Sequence, residues 1–221
     1  MKAMHIDDVL DRAHVVSLPL AVRFRGITTR EALLIEGPAG WGEFAPFLEY
    51  GQAESAAWLR AGLEAAYEGF PEPVRDSIEV NATIPAVPAS EVPAVVERYA
   101  GCRTFKIKVA EKGHTLADDA ARVRAVRDAV TQRGDIPILR VDANGGWSVD
   151  EAVEAAQMMM PLDYMEQPCA TTEELAQVRG RLMRAGLFVR VAADESIRKV
   201  ADPYRVAELQ AADVAVVKPA P

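Results

Sequence analysis

The sequence predicts an α/β fold: a parallel (β/α) barrel preceded by a small α+β capping domain. Three observations lead there. Short apolar runs alternate with helical patterns from about residue 78 onward, and that order marks a parallel sheet whose strands return through helices. Successive runs end in charge, at Lys108, Asp142, Glu166, Asp194 and Lys218, in steps of about 24 to 34 residues, close to the length of one strand–helix–strand unit. The stretch before residue 77 has another order, strands first and a helix after. The domains are therefore drawn at 1–76 and 77–221.

In the capping domain, His14–Leu18 and Glu31–Glu36 read as antiparallel strands flanking Arg23–Thr29. Gly37-Pro38-Ala39-Gly40 turns the chain into Trp41-Gly42-Glu43-Phe44. A helix from Gln52 to Glu68 follows and is broken by Pro71 and Pro73. Ile78–Thr83 opens the alternation. The later strands are Thr104–Val109, Ile138–Asn144 before the Gly145-Gly146 break, Leu162–Glu166, Val189–Glu195 and Asp213–Lys218.

The helices between them carry clear start signals. Thr115 with Asp118 resembles a capping box, and Leu116, Ala120, Val123, Val126 and Val130 then keep one face toward the core until Gly134. Ser148 with Glu151 starts a helix that runs to Pro161, and Thr171 with Glu174 starts one that Gly186 closes. Asp202-Pro203 is a helix start with proline in the first turn. Six barrel strands fall two βα units short of the eight that close such a barrel. Either the polypeptide continues past Pro221 or another chain covers the strand edges; continuation is the expectation.

Composition narrows the function. Half of the residues are hydrophobic and 26% charged, as in a globular enzyme. A net charge of −8 and no basic cluster argue against a nucleic-acid surface. Cys102 and Cys169 have no ligand-type spacing and read as reduced thiols in a cytoplasmic protein. The first ten residues contain acids and no long apolar run, so neither a signal peptide nor a membrane span is expected. The sequence leaves a homo-oligomer open.

In a (β/α) barrel the C-terminal strand ends form the active-site edge. Asp142, Glu166 and Asp194 are three acids expected there. Each taken alone could cap the following helix. Three carboxylates together repel unless a cation joins them, and Mg²⁺ takes oxygen ligands while leaving room for substrate oxygens. His5 and His14 precede the barrel and His114 precedes a helix cap, so zinc is not expected. Lys106 and Lys108 share one face of their strand. They are either a solvated edge or a pair in which like charge and a nearby cation lower the pKa of one amine, making it a base. Lys218 would stand across the mouth, giving a metal flanked by lysines.

Lys-x-Lys, Asp-x-Asn, Glu-Gln-Pro, Asp-Glu-Ser and a final Lys on successive strands resemble the enolase superfamily, and more closely its muconate-lactonising subgroup. Arg23–Thr28, Gly40–Phe44, Glu166–Thr171 and Ala193–Lys199 are similar to the o-succinylbenzoate synthase family of actinobacterial type. The resemblance implies a barrel of the enolase type and a lyase reaction of menaquinone biosynthesis, the syn dehydration of 2-succinyl-6-hydroxy-2,4-cyclohexadiene-1-carboxylate through an enediolate. It implies Mg²⁺ on Asp142, Glu166 and Asp194, Lys108 as base and then acid, Lys106 tuning it, and Lys218 as a cation over the ring. Asn144 and Glu195 would orient the ligands. The loop around Arg25–Thr29 would close over the mouth, with Arg25 either solvated or paired with the substrate's second carboxylate. The partner is a small carboxylate substrate, with no nucleic acid and no membrane. An N-acylamino-acid racemase, a dipeptide epimerase or a cycloisomerase could use the same residues, and a metal-binding scaffold without turnover is the non-enzymatic alternative.

Overall fold

The structure, a computed structural model, describes residues 5–24, 27–199 and 202–217, without the side chains of 21–24. The chain forms two compact units, one running to Asp76 and one from Ser77 to Val217.

The first unit begins with α1 (Ile6–Leu10) and continues through β1 (Ala13–Phe24), β2 (Ile27–Gly37), β3 (Gly40–Phe44) and α2 (Gln52–Tyr67). The strands form an antiparallel meander in chain order. Residues Ile27–Thr29 belong to β2, so only Arg25 and Gly26 of the expected loop fall between strands, and both lie outside the described residues. Glycines let α2 lie directly on the sheet. A Cβ at Gly42 would stand 1.8 Å from the Gly62 carbonyl oxygen, and one at Gly37 would stand 2.1 Å from that of Ala66. Ile35, Ala66 and Val9 form the small core, with Leu33, Phe44, Leu59 and Leu63 around it.

The second unit alternates β4 (Ala82–Ile84), α3 (Val92–Glu97), β5 (Thr104–Lys108), α4 (Leu116–Gln132), β6 (Ile138–Asp142), α5 (Val149–Met159), β7 (Tyr164–Glu166), α6 (Thr172–Arg184), β8 (Arg190–Ala193), α7 (Asp202–Glu208) and β9 (Val214–Ala215). Among the described residues its six strands are all parallel and lie in chain order. All three expected capping boxes are present, at Thr115/Asp118, Ser148/Glu151 and Thr171/Glu174. The apolar faces of α4, α5 and α6, including Val123, Val126, Ala152, Ala156, Leu175 and Val178, bury against the sheet residues Phe105, Ile107, Val141, Met165 and Val191.

Strand lengths differ from the sequence expectation. Ile78–Asn81 lie outside any strand, and the pairing of β4 with β5 begins at Ala82, opposite Phe105. Ile78 and Val80 are accordingly exposed. The last described strand ends at Ala215, and Lys218 lies outside the described residues. The pattern does not announce α1 or α3, which are only one to two turns long. Among the described residues no helix is long and apolar enough to cross a membrane.

Candidate active site

Parallel register places the charged tips in one row. Lys108 pairs with Asp142, Asp142 with Glu166, and Glu166 with Ala192. Asp194 follows the end of β8, near enough for its charge to act on Glu166. In β5, Phe105 and Ile107 are buried while Lys106 and Lys108 point the other way, half-buried. Of the two readings of this pair, a fully solvated edge does not fit the half-buried ammonium groups. Lys106 Nζ donates to Glu166 Oε1 at 2.8 Å and lies 3.1 Å from Asp142 Oδ2. Lys108 Nζ donates to Asp142 Oδ2 at 2.5 Å and to Asn144 Oδ1 at 2.8 Å.

The contacts run onward through Asn144. Its Nδ2 donates to Glu195 Oε1 at 3.1 Å, and Arg198 donates to the same oxygen at 2.7 Å. Asn144 adopts φ 46°, a left-handed conformation that asparagine tolerates better than most residues. Its backbone N–H is held by Asp142 Oδ1. The segment after the Asp142 tip thus turns back on itself and presents the amide to Lys108.

Glu166 and Asp142 are each 1% exposed. Burial, reinforced by the negative charges of Asp142 and Asp194, raises the Glu166 carboxyl above its ordinary value against the Lys106 hydrogen bond. For Asp142, burial acts in the same direction, but the hydrogen bond from Lys108 and the charge of Lys106 outweigh it and hold the carboxyl low. Lys106 is shifted upward. Burial lowers its pKa, yet the Glu166 hydrogen bond and the charges of Asp142 and Glu166 carry it above the usual lysine range. An ammonium in contact with two carboxylates is stabilised as a cation.

Among the described residues no group of three His, Cys, Asp or Glu side chains is arranged to hold a metal ion. The Lys106 ammonium lies between the Asp142 and Glu166 carboxylates. The donor chemistry nevertheless suits a hard divalent cation, since the tips offer only carboxylate oxygens. Glu166 Oε2 is buried without a hydrogen-bond partner, an acceptor left over for such an ion. Closing the acids around a cation requires Lys106 to give up one of its two contacts.

Two expected residues, Lys218 and Arg25, lie outside the described residues. One participant escaped the sequence reading. Gln167, fully buried at φ 37°, joins the loops after β7 and β8. Its Oε1 accepts from the backbone N–H groups of Asp194 at 3.0 Å and Ser196 at 3.1 Å. Its Nε2 donates to Ser196 Oγ at 2.7 Å and to the Cys169 carbonyl at 2.9 Å. No periodic signal marks it, since its partners Asp194 and Ser196 lie in a loop 27 to 29 residues away.

Known proteins resemble the chain in both halves. The Enolase N-terminal domain-like family matches residues 15–66, and the Enolase C-terminal domain-like family matches residues 90–221. An o-succinylbenzoate synthase of Mycolicibacterium smegmatis is 58% identical over 219 residues, covering 98% of this chain and 65% of that protein. That of Mycobacterium marinum is 57% identical over 220 residues, covering 98% of this chain and 64% of that one. The chain thus spans less than two thirds of the length of these curated relatives. Among solved structures, an o-succinylbenzoate synthase of Thermosynechococcus elongatus BP-1, complexed with Mg in its active site, superimposes with a TM-score of 0.68 at 20% identity, over 94% of this chain and 75% of that one. A muconate cycloisomerase of Pseudomonas fluorescens gives 0.70 at 20% identity, over 95% and 71%. At these identities the likeness is one of fold.

Proposed function

Because the chain belongs to the enolase superfamily, we propose that the whole protein dehydrates 2-succinyl-6-hydroxy-2,4-cyclohexadiene-1-carboxylate to o-succinylbenzoate, in the cytoplasm. The observation that carries this reading is the interlocking of Lys106 and Lys108 with Asp142 and Glu166 at the strand ends. The identity of the substrate draws support from the mycobacterial relatives.

Asp142, Glu166 and Asp194 would hold Mg²⁺, which when bound supplies positive charge against the substrate carboxylate as negative charge develops there. Lys108, in its neutral form, removes the proton from the carbon bearing that carboxylate. The same ammonium then returns the proton to the departing ring hydroxyl. One C–H and one C–O bond break, water leaves, and the new double bond completes an aromatic ring. Asn144 and Asp142 fix the Lys108 amine on one side of the substrate. Glu195 and Arg198 hold the Asn144 amide in the orientation this needs. Lys106, bonded to both acids, would tune the Lys108 amine through their shared charge. The family resemblance gives Lys218 the role of a protonated cation over the ring.

Incubation of the whole protein and Mg²⁺ with the cyclohexadiene carboxylate tests the reading. Formation of the aromatic product is expected. Absence of that product, together with racemisation of an N-acylamino acid, would replace it with the racemase alternative.

A further inference from the structure

A buried ion pair lies behind β5, away from the acid tips. Asp119 and Arg122, both on α4, are each 1% exposed. Burying such a pair in place of apolar side chains of similar volume often gives no gain in stability, so its partners are informative. Arg122 NH1 donates to Asp119 Oδ1 at 2.6 Å and to the Lys108 carbonyl at 3.0 Å. Its Nε donates to the Val87 carbonyl at 2.6 Å, and its NH2 lies 2.8 Å from His114 Nδ1. Asp119 Oδ2 accepts from the Ala110 N–H at 2.9 Å, while the Val109 N–H between them reaches the Asp142 carbonyl at 3.1 Å.

Three consecutive residues at the exit of β5 are therefore tied through their backbones. Ala110 is held at φ 57°, a conformation unfavourable for alanine. Neither side chain of the pair is bonded to the Lys108 amine; both act on the peptide groups that carry it.

Resting on the assignment of Lys108 as the base, we infer that Asp119 and Arg122 are positioning residues that set where the Lys108 amine stands relative to substrate. A displacement of about 1 Å at a reacting group can lower a rate by about 10²-fold, so the clamp acts on turnover more than on binding.

The test uses the full-length Mg²⁺-loaded protein with Asp119→Asn, Arg122→Lys and Arg122→Ala. Two readouts are taken on each folded variant: steady-state kinetics, and acetylation of Lys108 relative to exposed Lys112, followed by mass spectrometry without substrate. Expected are a fall in kcat of about 10- to 100-fold at nearly constant KM and a changed Lys108 to Lys112 labelling ratio. Millimolar guanidinium should restore part of the loss in Arg122→Ala, since a cavity of about 540 Å³ beside Asp119 and His114 gives a small cation access. Should Arg122→Ala fail to fold, the isosteric Asp119→Asn carries the same two readouts. Variants with wild-type kcat and unchanged labelling overturn the inference, as does a loss confined to KM. A wild-type protein without dehydratase activity defeats the proposed function instead, and the labelling ratio then decides the clamp by itself.

Discussion

Lys108 and Asp142 are 34 residues apart in the chain, yet Nζ and Oδ2 lie 2.5 Å apart. Their Cα atoms are register partners in adjacent parallel strands, so the contact is a product of sheet geometry rather than of a loop. The amine reaches the acid from a rigid support, and Asn144 limits its direction from the other side. An amine mounted in this way has little freedom to wander from its place beside Asp142.

Replacing the amine should therefore abolish most turnover. Lys108→Ala is expected to lower kcat by about 10²- to 10⁴-fold, the usual contribution of a general base. Near-normal turnover would remove Lys108 from that role.

Glu166→Gln keeps the shape of the tip and removes its charge. Activity should then require much higher Mg²⁺, and direct calorimetric titration should show weaker binding. An unchanged titration would contradict the assignment of Glu166 as a ligand.

Much of this was legible in the sequence because strand alternation and parallel register are periodic. Asp142 and Glu166 end their strands as read, and the three capping boxes sit where Thr115, Ser148 and Thr171 announced them. Gln167 was not legible, since its value lies in a loop-to-loop contact with Ser196 that has no period. Asp119 and Arg122 escaped for the opposite reason. By helical spacing both fall on the face that Leu116, Val123 and Val126 define, where a search for apolar positions passes over charges, and the reason for burying them lies in distant partners, the Val87 and Lys108 carbonyls.

At the other end of the sheet, Asp163 accepts hydrogen bonds from Arg140 and Arg190. Burial alone would raise its carboxyl, but these bonds and the arginine charges hold it below the ordinary aspartate value. A depressed folded value gives stability that is full above about pH 4, the unfolded value, and lost as pH falls through the folded one. Asp163→Asn should therefore lower the thermal midpoint at pH 7, with the gap to wild type narrowing toward pH 2. A gap independent of pH would refute the linkage.

Cys169 offers a chemical check on burial. Desolvation, aided by the charges of Glu174 and Glu151, pushes its thiol up to about 12. Since the thiolate is the reactive form, iodoacetamide at pH 8 should modify the partly exposed Cys102 well before Cys169 in the native protein. Equal labelling would show that the loop after β7 opens.

In the first unit, Gly42→Ala sets a methyl group against the Gly62 backbone. The helix cannot yield there without leaving its strand, so destabilisation at or above the usual overpacking cost of about 1–3 kcal/mol is expected. Rapid limited proteolysis within residues 5–76 would report it, and wild-type resistance would count against the close helix–strand approach.

Gln167 has consequences beyond its own loop. Both hydrogens of its amide nitrogen and both lone pairs of its oxygen are engaged, three of the four with the main chain. Such a joint has no spare valence with which to absorb a shift. The turns that carry Glu166 and Asp194 are geared together, and a disturbance introduced at Ser196, far along the chain, will be felt at the acid one position before the joint.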